Sequence, residues 1–324
     1  METELIKQQW NSDLKPQPSL GIFGILRESF KITNRNRKLL FPVLVLVFLF
    51  FSQLNFAEIY LLQPVAKDFS LQLTNHPEML QDIGNNMNRA IYSDAINDIR
   101  KISMVKLSIL TFNWIINLVF LITTVSSSSK AYTAKLLDPK EMISNITKSF
   151  KKLSDTSFSL VLITFGLVTL CFFSFGIISV LVAGSWAAYL FYGVLSLSIP
   201  SLCFFISALW MMSMVVSVLE DVGGLEAIVR AKQLTKGKRV QASLIMVLVV
   251  VVYGLVHLTT DALSSYNLDK WSRLAVTIPF GNGMICLLKL FVFVVFTIYY
   301  HERKVSCEEK EGKGLYVPIV AGEV

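Results

Sequence analysis

Six apolar stretches, each long enough to cross a lipid bilayer, divide this chain of 324 residues. A hydrocarbon core about 30 Å thick is spanned by roughly 20 apolar residues of helix. The stretches fall at 39–62, 104–125, 158–183, 187–219, 242–262 and 279–300. No water reaches the backbone inside such a core, so each stretch has to satisfy its own N–H and C=O groups as a helix. Composition agrees, with 53% hydrophobic and 16% charged residues against about 25% charged in ordinary soluble domains. The sequence predicts an all-α integral membrane protein.

The charges between the spans are divided unevenly. Lys and Arg number seven in 1–38, six in 126–157, five in 220–241 and four in 301–324, but four in 63–103, none in 184–186 and two in 263–278. Basic residues collect on the cytosolic side of membrane proteins, so both termini are expected there, in an endomembrane or the plasma membrane. The net charge of +7 then belongs to the membrane surface, and nucleic acid is not an expected partner. The first 38 residues are polar and lack the apolar core and cleavage site of a secretory leader. Of the four cysteines, three lie within spans and Cys307 in the tail, which implies no disulfide framework.

Three segments before spans share a form. In 20–38, Ile22, Phe23, Leu26 and Phe30 recur at helical spacing ahead of Arg35, Arg37 and Lys38. In 139–152, Met142, Ile143, Ile146 and Phe150 precede Lys151 and Lys152; in 225–239, Leu225, Ile228, Val229 and Leu234 accompany Lys238 and Arg239. Such helices sink an apolar face into the acyl boundary while their cations meet anionic headgroups. The expectation is three amphipathic interfacial elbow helices on the cytosolic side. Arg35, Arg37, Lys38, Lys151, Lys152, Lys238 and Arg239 are their headgroup contacts. The tail, 301–324, reads as disordered, and 63–103 as an external loop with a helix leading into the second span.

Motifs for chemistry are missing. His76, His257 and His301 are scattered, and no metalloprotease, phosphate-loop or nucleophile-elbow signature is present. No cofactor or metal site is expected. Lys289 stands out, because a charge near mid-span is costly and calls for a partner or water. Glu58, Asp261 and His257 are the candidate partners. Lys106, Asn113, Asn117, Thr124 and Ser128 share one face of the second span, which is expected to turn toward the bundle.

The run Ser19-Leu-Gly-Ile-Phe-Gly-Ile-Leu-Arg-Glu-Ser-Phe30, followed by Asn36-Arg-Lys-Leu-Leu-Phe-Pro42, resembles the start of a family of uncharacterised plant six-span membrane proteins. The run Val218-Leu-Glu-Asp-Val-Gly-Gly-Leu-Glu-Ala-Ile-Val-Arg-Ala-Lys-Gln-Leu-Thr-Lys-Gly237 is similar to the same family. More distantly it resembles the membrane domain attached to some bacterial glycerophosphodiester phosphodiesterases. The resemblance implies six spans and no established activity, and without a phosphodiesterase domain in this sequence enzymatic function is not expected to carry over. The expected role is non-enzymatic, organising membrane or scaffolding membrane-protein partners. The alternative is a transporter, channel or lipid-moving protein centred on Lys289.

Overall fold

Eight helices account for nearly all of the computed structural model, which describes residues 21–75, 89–133, 139–182, 186–220, 222–264 and 270–314. They are α1 (Ile22–Arg35), α2 (Arg37–Asn75), α3 (Arg89–Tyr132), α4 (Pro139–Val182), α5 (Trp186–Leu219), α6 (Gly224–Thr235), α7 (Arg239–Ser264) and α8 (Lys270–Gly314). No strand occurs among the described residues.

Six of the eight are long and apolar enough to cross a membrane, over Arg37–Val65, Ile96–Tyr132, Ile146–Ser174, Ser198–Leu219, Arg239–Leu263 and Ile278–Cys307. Their outward faces carry large apolar side chains such as Leu46, Leu110, Phe165, Phe172, Val251 and Leu258. Soluble proteins rarely expose contiguous apolar surface on this scale. The chain is an integral multi-pass membrane protein.

The helices divide into two compact units. The first comprises residues up to Lys38, Thr124–Val251 and residues from Phe291 on. Its core is built from Ile25 and Ile32 of α1, Leu153 and Leu160 of α4, Met212 and Val216 of α5, Ala227 and Ala231 of α6, and Phe296, Tyr299 and Tyr300 of α8. Within it α4, α5 and α6 pack on one another. The second unit comprises Leu39–Thr123 and Val252–Leu290, and Val47, Phe51, Leu118, Leu121, Val256 and Leu290 are buried there.

The two short helices follow one pattern, position for position. Gly21 and Gly223 are extended N-caps. Ile25, Ser29 and Ile32 are buried in α1, and Ala227, Ala231 and Leu234 are buried in α6. Thr33 and Thr235 each turn a hydroxyl back to the carbonyl four residues earlier, of Ser29 and Ala231. Asn36 interrupts the first copy before Arg37. Gly237, at a φ of 93° that suits glycine, does so before Arg239 in the second. The segment 139–152 departs from this expectation. It is the start of α4, which runs unbroken to Val182, because the Leu153–Ser157 stretch has neither glycine nor proline to break the helix.

Two further expectations are corrected. The tail expected to be disordered begins as helix: α8 continues to Gly314, and the rest of the tail lies outside the described residues. In 63–103 the first part is helix where a loop was expected, since α2 reaches Asn75, while α3 from Arg89 supplies the expected helix leading into the second span. The expected helix start near Pro77 lies outside the described residues.

Candidate functional site

In the second unit Lys289 is placed by α8. Its ammonium donates to Oδ1 of Asn117 at 2.9 Å and lies 4.6 Å from the centroid of the Phe51 ring. Asn117 in turn donates to the backbone carbonyl of Asn113 at 2.8 Å and to its Oδ1 at 3.3 Å. A lone amide oxygen and an aromatic face are weak compensation for a charge in a span. The expected ion pair is absent: among the described residues no carboxylate lies within 4 Å of Lys289. Glu58 pairs instead with Lys106. His257 is exposed and meets Tyr253 edge-on, one helical turn away at 4.5 Å. Asp261, at the end of α7, is exposed as well.

Sequence reasoning named Asn113 and Asn117 for their shared face but passed over Asn55, Asn282 and Phe51. Asn55 donates to Asn282 at 2.8 Å, while Nδ2 of Asn282 and the hydroxyl of Ser52 are buried without a partner. Asn282 precedes Lys289 by seven residues, two helical turns on one face, and that spacing was the available signal.

In the first unit the polar groups converge on Glu220. Its Oε1 accepts from the Tyr300 hydroxyl at 2.8 Å and lies 4.0 Å from the Lys304 ammonium. Oε2 accepts from Nε of Arg230 at 3.2 Å. Glu220 therefore ties the end of α5 to α6 and α8. Helix α6 is fastened at both ends. At its start the Gly224 amide donates to the Thr156 hydroxyl at 2.9 Å, which itself donates to Ser217 at 3.1 Å. A Cβ at Gly223 would lie 3.2–3.3 Å from Cβ, Cα and O of Lys152, so a side chain here would press on α4 and glycine suits the close approach of α4 and α6. At the other end Arg303 donates from Nε to the Leu234 carbonyl and from Nη2 to the Lys236 carbonyl, both at 3.0 Å. These are carbonyls that a helix C-terminus leaves without intrahelical donors.

The expected headgroup contacts divide. Arg35, Arg37, Lys38 and Lys151 are exposed. Lys152 is half-buried behind Gly223. Lys238 is used internally, 3.2 Å from Glu302, whereas Arg239 is exposed, with its guanidinium 5.7 Å from the Phe205 ring. None of the four apolar residues expected on one face of α1 is buried: Phe23 is 88% and Phe30 64% exposed, Ile22 and Leu26 are half-buried, and the inward side is made instead by Ile25 and Ile32, which the expected face did not include. On α6, Leu225 and Val229 are exposed and Leu234 is buried.

Ser129 and His301 share a hydrogen bond of 2.9 Å, and the imidazole stacks on Tyr132 at 5.0 Å. No carboxylate orients it among the described residues. Among those residues, no three His, Cys, Asp or Glu side chains gather as a metal site, and Cys171, Cys203, Cys286 and Cys307 are free thiols.

A family model described as a domain of unknown function (DUF8558) matches residues 13–310. The chain belongs to that family. The match takes in all six apolar helices, both short helices and the Glu220 cluster. Neither the curated proteins nor the solved structures contain a match.

Proposed function

We propose that this family member is a non-enzymatic membrane organiser or scaffold, with both termini in the cytosol and α1 and α6 lying in the cytosolic face of an endomembrane or the plasma membrane. The carrying observation is the outward exposure of Phe23, Phe30, Leu225 and Val229 on the two short helices, beside exposed Arg27, Lys31, Arg35 and Lys232. Apolar side chains of this size next to cations suit the boundary between acyl chains and anionic headgroups. The resemblance to plant six-span proteins, and to the membrane domain accompanying bacterial phosphodiesterases, supports a membrane role without lending catalysis.

Reconstitution in vesicles containing brominated lipids tests this. Tryptophan at Phe23 or Leu225 is expected to be quenched by shallow bromine labels, and fluorescent anionic lipid is expected to cluster around the protein. Tryptophans that report water, with no clustering, would remove the proposal.

A second reading is favoured by Lys289, whose partners are Asn117 and Phe51 rather than a carboxylate. A transporter, channel or lipid-moving protein would use this intramembrane cation. Solute or lipid flux abolished by Lys289→Leu in well-folded protein supports that reading, and unchanged flux removes Lys289 from it.

A further inference from the structure

At the bend where α1 gives way to α2, an open groove of about 570 Å³ is lined by Phe30, Lys31, Thr33, Asn34 and Arg37. Thr33, Asn34 and Arg37 stand three, four and seven residues after Phe30, so these four share one face of the bend. That face is opposite the one on which Ile25 and Ile32 are buried. The groove therefore looks outward.

Its chemistry is lopsided. Arg37 is exposed and has no carboxylate within 4 Å among the described residues. Lys31 is exposed and has only the neighbouring, half-buried Glu28, at 3.5 Å, and a surface pair of this kind holds a lysine weakly. A guanidinium offers two parallel N–H groups to a phosphate, and an ammonium adds a point charge. The Asn34 amide adds neutral hydrogen-bonding capacity. The Phe30 ring, 4.5 Å from that of Phe291, gives the groove an apolar wall, and Phe23 extends it two turns earlier on α1. Cations beside exposed aromatic surface match an amphiphile with an anionic end better than a free ion.

The corresponding bend between α6 and α7 makes the contrast. There the protein supplies its own occupants: Arg303 takes the Leu234 and Lys236 carbonyls, and Glu302 neutralises Lys238. The first bend has no such internal plug among its lining residues.

We infer that the α1–α2 groove is a binding site for the phosphate of an anionic glycerophospholipid, its acyl chains lying along Phe30 and Phe23. This rests on the reading that α1 lies in the membrane interface. The test uses the full chain in nanodiscs of phosphatidylcholine with phosphatidylglycerol, with bound lipid counted by native mass spectrometry. K31Q/R37Q is expected to lower retention of phosphatidylglycerol about tenfold or more, given two cations each contributing about a factor of five. K31R/R37K, which keeps both charges, is expected to restore most of it and guards against misfolding. K232Q/K236Q, a matched loss of charge in the last turn and C-cap of α6, is expected to change retention less than twofold. Equal losses in K31Q/R37Q and K232Q/K236Q would overturn the site in favour of diffuse surface charge. So would undiminished retention in K31Q/R37Q. Displacement of the lipid by inorganic phosphate at equal concentration would reassign the groove to a free anion. Quenching of tryptophan at Phe23 reads the interfacial position of α1 separately. A lost site with intact quenching leaves the membrane-organising proposal standing.

Discussion

The phenol of Tyr300 donates to Oε1 of Glu220 at 2.8 Å, joining the sixth apolar helix to the end of the fourth. Arg230 approaches the other carboxylate oxygen, so one side chain is shared among three helices. Tyr300 is buried, and only 14% of the Glu220 side chain is exposed. Loss of a hydrogen bond at such a place costs more than at the surface, because the remaining partner stays dehydrated.

Tyr300→Phe keeps the ring and removes the donor, and is expected to cost about 1–2 kcal/mol. Glu220→Ala leaves Arg230 and Lys304 without their carboxylate as well, and is expected to cost about 2–4 kcal/mol. Thermal unfolding in one detergent checks the order. Equal midpoints for both variants and the parent would show that the cluster does not hold the helices together.

Arg303→Ala removes two carbonyl contacts at the end of α6, with an expected loss of about 2–4 kcal/mol. Arg303→Lys recovers only part of it, since a single ammonium lacks the planar fork that reaches both carbonyls. Limited proteolysis is expected to cut the Lys236–Lys238 turn faster in Arg303→Ala. An unchanged cutting rate would contradict the capping role.

Gly223→Ala is expected to destabilise by about 1–3 kcal/mol, because the added methyl meets Lys152 backbone atoms at 3.3 Å. Gly224→Ala is expected to cost about 1–2 kcal/mol through its φ of 60°. Gly21→Ala, at the matching cap of α1, finds nothing within 4 Å and is expected to be near neutral. Comparable melting shifts at Gly21 and Gly223 would refute the close approach of α4 and α6.

Asn117→Leu strands the Lys289 ammonium and is expected to cost about 1–3 kcal/mol. Lys289→Leu removes the charge together with its need for an acceptor and is expected to be neutral or stabilising. The double variant is expected to resemble Lys289→Leu alone. Strict additivity of the two single changes would mean that the residues are not coupled.

Hydrophobic spacing made the six long helices legible, because a bilayer leaves an apolar stretch only one way to satisfy its backbone. The short helices were legible through the spacing of their apolar residues, yet their orientation was not. Phe23 and Ile25 are equally apolar on paper, and only packing decides that Ile25 faces the protein while Phe23 does not. The break after α1 could be read from Asn36 and that after α6 from Gly237. The absence of a break after Lys152 was readable too, from the lack of glycine or proline, but a basic amphipathic pattern concealed it. Lys289 was identified by its cost in a span, whereas its partner was not. A carboxylate is the electrostatic choice, but Glu58 had a nearer cation in Lys106. Arg303 was missed because a charge just past a span looks like ordinary interfacial basicity, and its task depends on carbonyls more than sixty residues away in the chain.

Helix α6 is gripped by Thr156 at its first residue and by Arg303 at its last turn. A rod clamped at both ends cannot swing like a flap. It behaves as a strut, and force applied to its outward side chains is delivered to α4 and α8 together. Whatever presses on Leu225 or Val229 from outside therefore pulls on two membrane helices at once.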